Sequence, residues 1–223
     1  RKRKNKIFIP EVETEFYYSF RAIYLKNSGE NIHTIVHELD KFVNETAYSH
    51  YLKLEQNRIV CKDNWISYVQ KFDGDLGPSI FFIGMIIASQ KQEDYGKSTL
   101  IGDKSPSYLY IIDDLIKDFP SAKFIFIHRD PLDVINSNNV AWGKSLARTA
   151  MKWSTSNKSA FENLLRCNVD IFELSYEKLS EKPDKIIEDL TTFLGTEYDP
   201  NWAEKLGESE NLGRAKGVKG IAK

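Results

Sequence analysis

Lys123-Phe124-Ile125-Phe126-Ile127-His128-Arg129-Asp130-Pro131-Leu132-Asp133-Val134-Ile135-Asn136-Ser137 decides the fold. Phe124 to Ile127 is an unbroken run of aromatic and β-branched residues, too short for a helix of its own. It predicts a strand buried on both faces, as the strands of parallel sheets are. Asp130 follows as a helix N-cap and Pro131 as a first helical residue, so the chain turns from strand to helix within two or three residues. Arg129 therefore sits at the carboxyl end of a strand and beside a helix amino terminus. Ligands of open α/β sheets bind at that end, where unpaired N–H groups and the positive end of the macrodipole favour phosphate. Taken alone, the turn reads equally as a plain helix start in which Arg129 pairs with Asp130 or Asp133 at the surface.

The 223 residues suffice for one domain with a sizeable core, and a net charge of −1 gives no bulk electrostatic case for nucleic acid or membrane binding. An anion site must then be local. Cys61 and Cys167 are the only cysteines, too few for a disulfide framework or a metal cluster; two sparse thiols suit a reducing compartment, and the expectation is a cytoplasmic protein. The longest apolar stretch, Ile80 to Ala88, falls well short of the roughly 20 residues that span a bilayer.

Outward from the central strand, Lys6 to Pro10 reads as a short strand-like piece, followed by the acidic alternation Glu11-Val12-Glu13-Thr14-Glu15. Phe16 to Leu25 predicts a mostly buried helix, and Ile32 to about Leu54 another with Ile35, Val36, Leu39, Phe42 and Val43 on one face. Ile59-Val60-Cys61 reads as a strand, Gly74 to Pro78 as a loop, and Ile80 to Gln90 as a buried helix. Tyr95-Gly96-Lys97-Ser98-Thr99 has the tail of a Walker A loop, but Lys91 stands where that motif needs glycine, so it reads as a turn into the next strand. Leu100-Ile101 is a short strand, and a helix runs from the following turn to Phe119. Beyond the central stretch come helices from Leu132 to about Gly143 and from Ser145 to Leu165, the latter with Ala147, Met151, Trp153 and Phe161 as core; Arg148 is read as part of its solvated face. Asp170 to Tyr176 is a strand, and a helix over 184–194 is capped by Gly195.

Phe119 to Pro131, closing on Ser137, resembles the 3′-phosphate-binding block of the sulfotransferases that use 3′-phosphoadenosine 5′-phosphosulfate. In that family an arginine of the R-x-P turn and a serine eight residues later grip the 3′-phosphate, and those positions here are Arg129 and Ser137. Gly102-Asp103-Lys104-Ser105-Pro106-Ser107-Tyr108 is similar to the G-[DE]-K-[ST]-P-x-Y block of the bacterial, tyrosylprotein and heparan branches, which implies that Lys104 lies near the sulfuryl group. Tyr176-Glu177-Lys178-Leu179, with Pro183 and Phe193-Leu194-Gly195, resembles the family's Y-E-D-L stretch, with Lys178 in place of the aspartate; the resemblance puts Tyr176 against the adenine. Gly213 to Gly220 is similar to the R-K-G-x-x-G loop that closes over the nucleotide, with Ala215 where the cytosolic branch has arginine, and implies 3′-phosphate contacts from Lys216 and Gly217.

The resemblance implies a P-loop-NTPase-like, three-layer α/β/α fold with a central, mostly parallel sheet, over a single sulfotransferase-like domain spanning residues 1–223. It implies sulfuryl transfer from 3′-phosphoadenosine 5′-phosphosulfate to a hydroxyl or amine, with adenosine 3′,5′-bisphosphate as product and no metal. The acceptor would be a carbohydrate, a small metabolite or a protein tyrosine. Glu13 is the expected base, because the tyrosylprotein branch carries its catalytic glutamate in a comparable acidic stretch. The family's glycine-rich 5′-phosphosulfate loop has no counterpart in the sequence, and the expectation is a chain truncated at its amino terminus. The rival readings are a non-catalytic nucleotide-binding or scaffold relative, and a P-loop kinase-like enzyme.

Overall fold

The computed structural model of the chain describes residues 7–8, 16–45, 60–74, 76–89 and 100–199. The chain divides into two compact units, residues 1–120 and residues 121–223.

In the first unit, strand β1 (Ile7–Phe8) pairs in parallel with β2 (Leu100–Ile101), Ile7 opposite Leu100. Helices α1 (Tyr17–Asn27), α2 (Ile32–Glu45), α3 (Lys62–Val69) and α4 (Pro78–Ala88) enclose an aromatic core. Phe20 stacks on Trp65 at 6.2 Å between ring centroids and meets Phe82 edge-on at 5.2 Å; Tyr17 meets Phe82 edge-on at 4.8 Å. Such crossed rings add about 0.5–1.5 kcal/mol each beyond the area they bury. The polar ends of these rings are all satisfied: Trp65 Nε1 donates to the Phe81 carbonyl at 2.8 Å, Tyr17 donates its hydroxyl to Asp118 at 2.8 Å, and Tyr24 donates to the Leu76 carbonyl. Arg21 completes the Asp118 end, 3.2 Å from Asp114 and bonded to Asp118 as well. A 3₁₀ helix (Pro106–Tyr110) and α5 (Ile112–Asp118) follow β2.

The second unit is built on β3 (Phe124–His128) and β4 (Ile171–Ser175), parallel and in register from Phe124 opposite Ile171 to His128 opposite Ser175. Their crossover holds α6 (Pro131–Trp142) and α7 (Leu146–Arg166); α8 (Tyr176–Glu181) and α9 (Pro183–Leu194) come after β4. Paired residues of a parallel ladder point to the same face. On one face Phe126 packs against Phe161 of α7, centroids 5.2 Å apart; on the other Phe172 packs against Phe193 of α9 at 5.5 Å. Helices therefore lie on both faces. The α/β class and the parallel pairing are as the sequence predicts, and Asp130, Pro131, Gly143 and Gly195 act as the expected helix ends, both glycines with left-handed φ.

Several elements differ from expectation. β3 is not buried on both faces: Ile125 is 40% and Ile127 55% exposed, because α9 reaches Phe172 on β4 and Lys123 at the start of β3 without covering them. Val60 and Cys61 form no strand; Cys61 is the N-cap of α3, whose apolar positions Trp65 and Val69, one turn apart, set a helical rather than alternating burial. The helix expected up to Phe119 is two pieces interrupted at Ile111, the first a 3₁₀ turn. On α7 the buried stripe is Ala160 and Leu164, with Trp153 and Phe161 half-buried, whereas Ala147 and Met151 are exposed. At 3.6 residues per turn Met151 lies roughly 160° from Trp153 around the helix, so one stripe cannot hold both. The expected end of the second helix beyond residue 45, and the Lys97 turn, lie outside the described residues. Cys61 and Cys167 are both free and exposed.

The α3–α4 contact is close: a Cβ added at Gly84 would lie 2.9 Å from both Trp65 Cδ1 and Tyr68 Cδ1. Gly84→Ala should therefore lose about 1–3 kcal/mol through overpacking, despite its better helix propensity. Chemical denaturation checks this, and an unchanged midpoint would contradict the packing described.

Candidate functional site

The second unit gathers functional groups where β3 and β4 end. Their last ladder pair is His128 with Ser175, and past it both strands turn into helices under side-chain caps. Asp130 accepts from the Leu132 and Asp133 amides at 2.7 and 3.4 Å, and Ser175 Oγ accepts from the Lys178 amide at 3.4 Å. Arg129 and Tyr176 are the next residues on the two strands. The Arg129 guanidinium lies over the Tyr176 ring, 4.8 Å from its centroid, and Nη2 is 3.2 Å from Asp133 Oδ2. Its Nε is buried and has no hydrogen-bond partner among the described residues. The Arg129–Asp133 pair is exposed on both sides, 40% and 57%, and a pair of that kind contributes no more than about 1 kcal/mol. Arg129 thus pairs with Asp133 at the surface, as the plain helix-start reading expects, and it also holds a buried donor at the carboxyl end of a parallel strand. Ser137 lies one turn beyond Asp133 on α6, on the same helix face, and is exposed.

Glu177 joins the two turns. Its Oε1 accepts from the Asp130 amide at 2.8 Å and its Oε2 accepts from Ser175 Oγ at 2.6 Å. These bonds, the Asp130 amide foremost, hold its carboxyl down at about 2, with His128 adding to the effect. His128 itself lies 3.2 Å from Glu173, its diagonal neighbour across the ladder. Sequence reasoning quoted Glu177 within its motif but gave it no part. The usable signal was its place two residues after a strand-ending serine, where a carboxylate favours the first helical turn.

In the first unit Lys104 stands three residues past the end of β2 and just before a cap. Ser105 is buried, accepts from the Ser107 amide at 3.3 Å and lies 2.7 Å from Ser107 Oγ; Tyr108 donates its hydroxyl to Asp103. Lys104, exposed between these two anchored neighbours, has its ammonium pKa lowered by partial desolvation. Both basic residues thus stand immediately before a capping residue and a proline, in Lys104-Ser105-Pro106 and Arg129-Asp130-Pro131.

Of the residues singled out in the sequence, Arg129 and Tyr176 are in contact, Ser137 is on the helix that Arg129 precedes, and Lys104 belongs to the first unit. Glu13, Lys216 and Gly217 lie outside the described residues. No group of three or more His, Cys, Asp or Glu among the described residues is placed to hold a metal ion, and no described helix is long and apolar enough to cross a membrane.

Two solved structures resemble the chain: the sulfotransferase domain from the curacin biosynthetic pathway and that of the Synechococcus PCC 7002 olefin synthase. The first is 21% identical, covers 88% of this chain and 76% of its own, and has a TM-score of 0.45. The second is 20% identical, covers 98% and 92%, and has a TM-score of 0.43. No curated protein matches the chain. The sequence model of the sulfotransferase family matches residues 33–200, which is most of the chain and includes both strand-end turns. The chain belongs to the sulfotransferase family.

Proposed function

We propose that this chain moves a sulfuryl group from 3′-phosphoadenosine 5′-phosphosulfate to a hydroxyl or amine acceptor, a carbohydrate, a small metabolite or a protein tyrosine. The observation that carries the reading is Arg129. A charged donor is stacked on Tyr176 at a strand end, with its Nε buried and lacking an acceptor among the described residues. A buried N–H left unpaired costs about 1–3 kcal/mol, more when charged, and a phosphate oxygen would relieve that cost. Asp133 is a weak competitor, because its exposed pair with Arg129 contributes so little. The family match runs across both compact units, which supports reading them as parts of one sulfotransferase-like domain over residues 1–223.

The bound donor supplies the sulfuryl group. Arg129 and Ser137 hold the 3′-phosphate, joined by Lys216 and Gly217, and so tell this nucleotide from ATP. Tyr176, 37% exposed, lies against the adenine. In-line displacement builds negative charge on the leaving phosphate oxygen, as phosphoryl transfer does, and a cation placed there lowers the barrier. Lys104 is that cation. Glu13 takes the proton of the acceptor.

Isothermal titration separates this reading from a fold without the donor site. The chain should bind adenosine 3′,5′-bisphosphate more tightly than 5′-AMP, and Arg129→Ala should remove about 10–100-fold of that preference, the loss expected of charge-assisted bonds. No preference in the folded protein would contradict the reading. In a sulfuryl-transfer assay, Lys104→Ala should slow turnover about 10²–10³-fold while leaving affinity for the bisphosphate within about twofold. An unaltered rate would remove Lys104 from the mechanism.

A further inference from the structure

Past the last ladder pair the two strands diverge into separate helices, and backbone pairing can no longer hold Arg129 against Tyr176. The next donor on the β3 side, the Asp130 amide, is bonded at 2.8 Å by a side chain, Glu177 Oε1, instead of by a backbone carbonyl. The second oxygen of the same carboxylate accepts from Ser175 Oγ at 2.6 Å, and Ser175 is the residue that caps α8. Asp130 is joined covalently to Arg129, and Glu177 to Tyr176, so one carboxylate spans both turns. The stacked pair lies one residue away on each strand.

We propose that Glu177 is a positioning residue for the anion site, extending the β3–β4 ladder by one side-chain rung so that Arg129 is presented on Tyr176 with its donors preorganised. This rests on the donor-site reading given above and deepens it. Glu177 touches no ligand in this role; it acts through the Asp130 amide and the Ser175 hydroxyl. Both bonds favour the charged form, so its carboxyl stays ionised, and the clamp intact, well into acid. A clamp that sets donor direction affects a ligand that needs those donors more than one that does not.

Two variants distinguish positioning from mere support of the fold. Glu177→Gln keeps an amide oxygen for the Asp130 N–H and an amide N–H for Ser175 Oγ, whereas Glu177→Ala loses both. The preference for adenosine 3′,5′-bisphosphate over 5′-AMP, by titration, should fall about tenfold in Glu177→Ala and return to within about threefold of wild type in Glu177→Gln. A second readout needs no ligand. In wild type the Arg129 Nε–H resonance should carry the ring-current shift of Tyr176, assigned by its loss in Tyr176→Leu. Glu177→Ala should lose the shift and Glu177→Gln should keep it. If Glu177→Ala lowers the affinity for both nucleotides equally and leaves the Arg129 resonance in place, the residue is structural only and the proposal is overturned. If wild type shows no nucleotide preference, the donor-site reading fails, while the Arg129 resonance still decides whether Glu177 positions the arginine.

Discussion

The parallel ladder between Phe124–His128 and Ile171–Ser175 sets where everything else in the second unit can be. Because paired residues of a parallel ladder face the same way, its register directs Phe126 to α7 and Phe172 to α9. It also ends both strands at the same level, so that Arg129 and Tyr176 emerge side by side. A slip of one residue would move Phe126 off Phe161 and part the stacked pair at once. Packing and site geometry are consequences of one register, and the crossover helices α6 and α7 connect the two strands within that constraint.

Where the strands end, the chain uses the same local solution repeatedly. A capping oxygen takes the first free amides of the next helix, as Asp130, Ser105 and Ser175 do. In two of these turns a basic residue stands just before the cap and a proline just after it. The cap and the proline fix the backbone, and the basic side chain is left between strand and helix, directly after β3 for Arg129 and three residues past β2 for Lys104. The placement of these two basic side chains therefore rests on short turns whose geometry is set by hydrogen bonds a residue or two away. Deep burial contributes little here, since Arg129 is only half-buried and Lys104 is exposed.

Much of this was legible in the sequence because local chemistry dictates it. Asp130-Pro131 signals a helix start wherever it follows an apolar run, and Gly143 and Gly195 signal helix ends because their backbone turns left-handed. The Arg129 to Ser137 and Gly102 to Tyr108 blocks stood out through their resemblance to family motifs, since their local chemistry alone reads equally well as plain turns. Long-range cover was not legible. The apolar run Phe124 to Ile127 says that its side chains are apolar, but the reach of α9 decides whether Ile125 and Ile127 are covered. Met151 looked like core by type and lies on the wrong side of its helix. The Glu177 clamp depends on which residues the register brings opposite one another across a crossover, and no local pattern encodes that pairing.

The β3 strand end is proposed as a 3′-phosphate site. A crystal structure of the full chain with adenosine 3′,5′-bisphosphate tests it most directly. The 3′-phosphate should lie within hydrogen-bond distance of the Arg129 guanidinium, with Ser137 a second contact and Asp133 displaced from Arg129. A nucleotide bound elsewhere, with the Arg129–Asp133 pair intact, would contradict it.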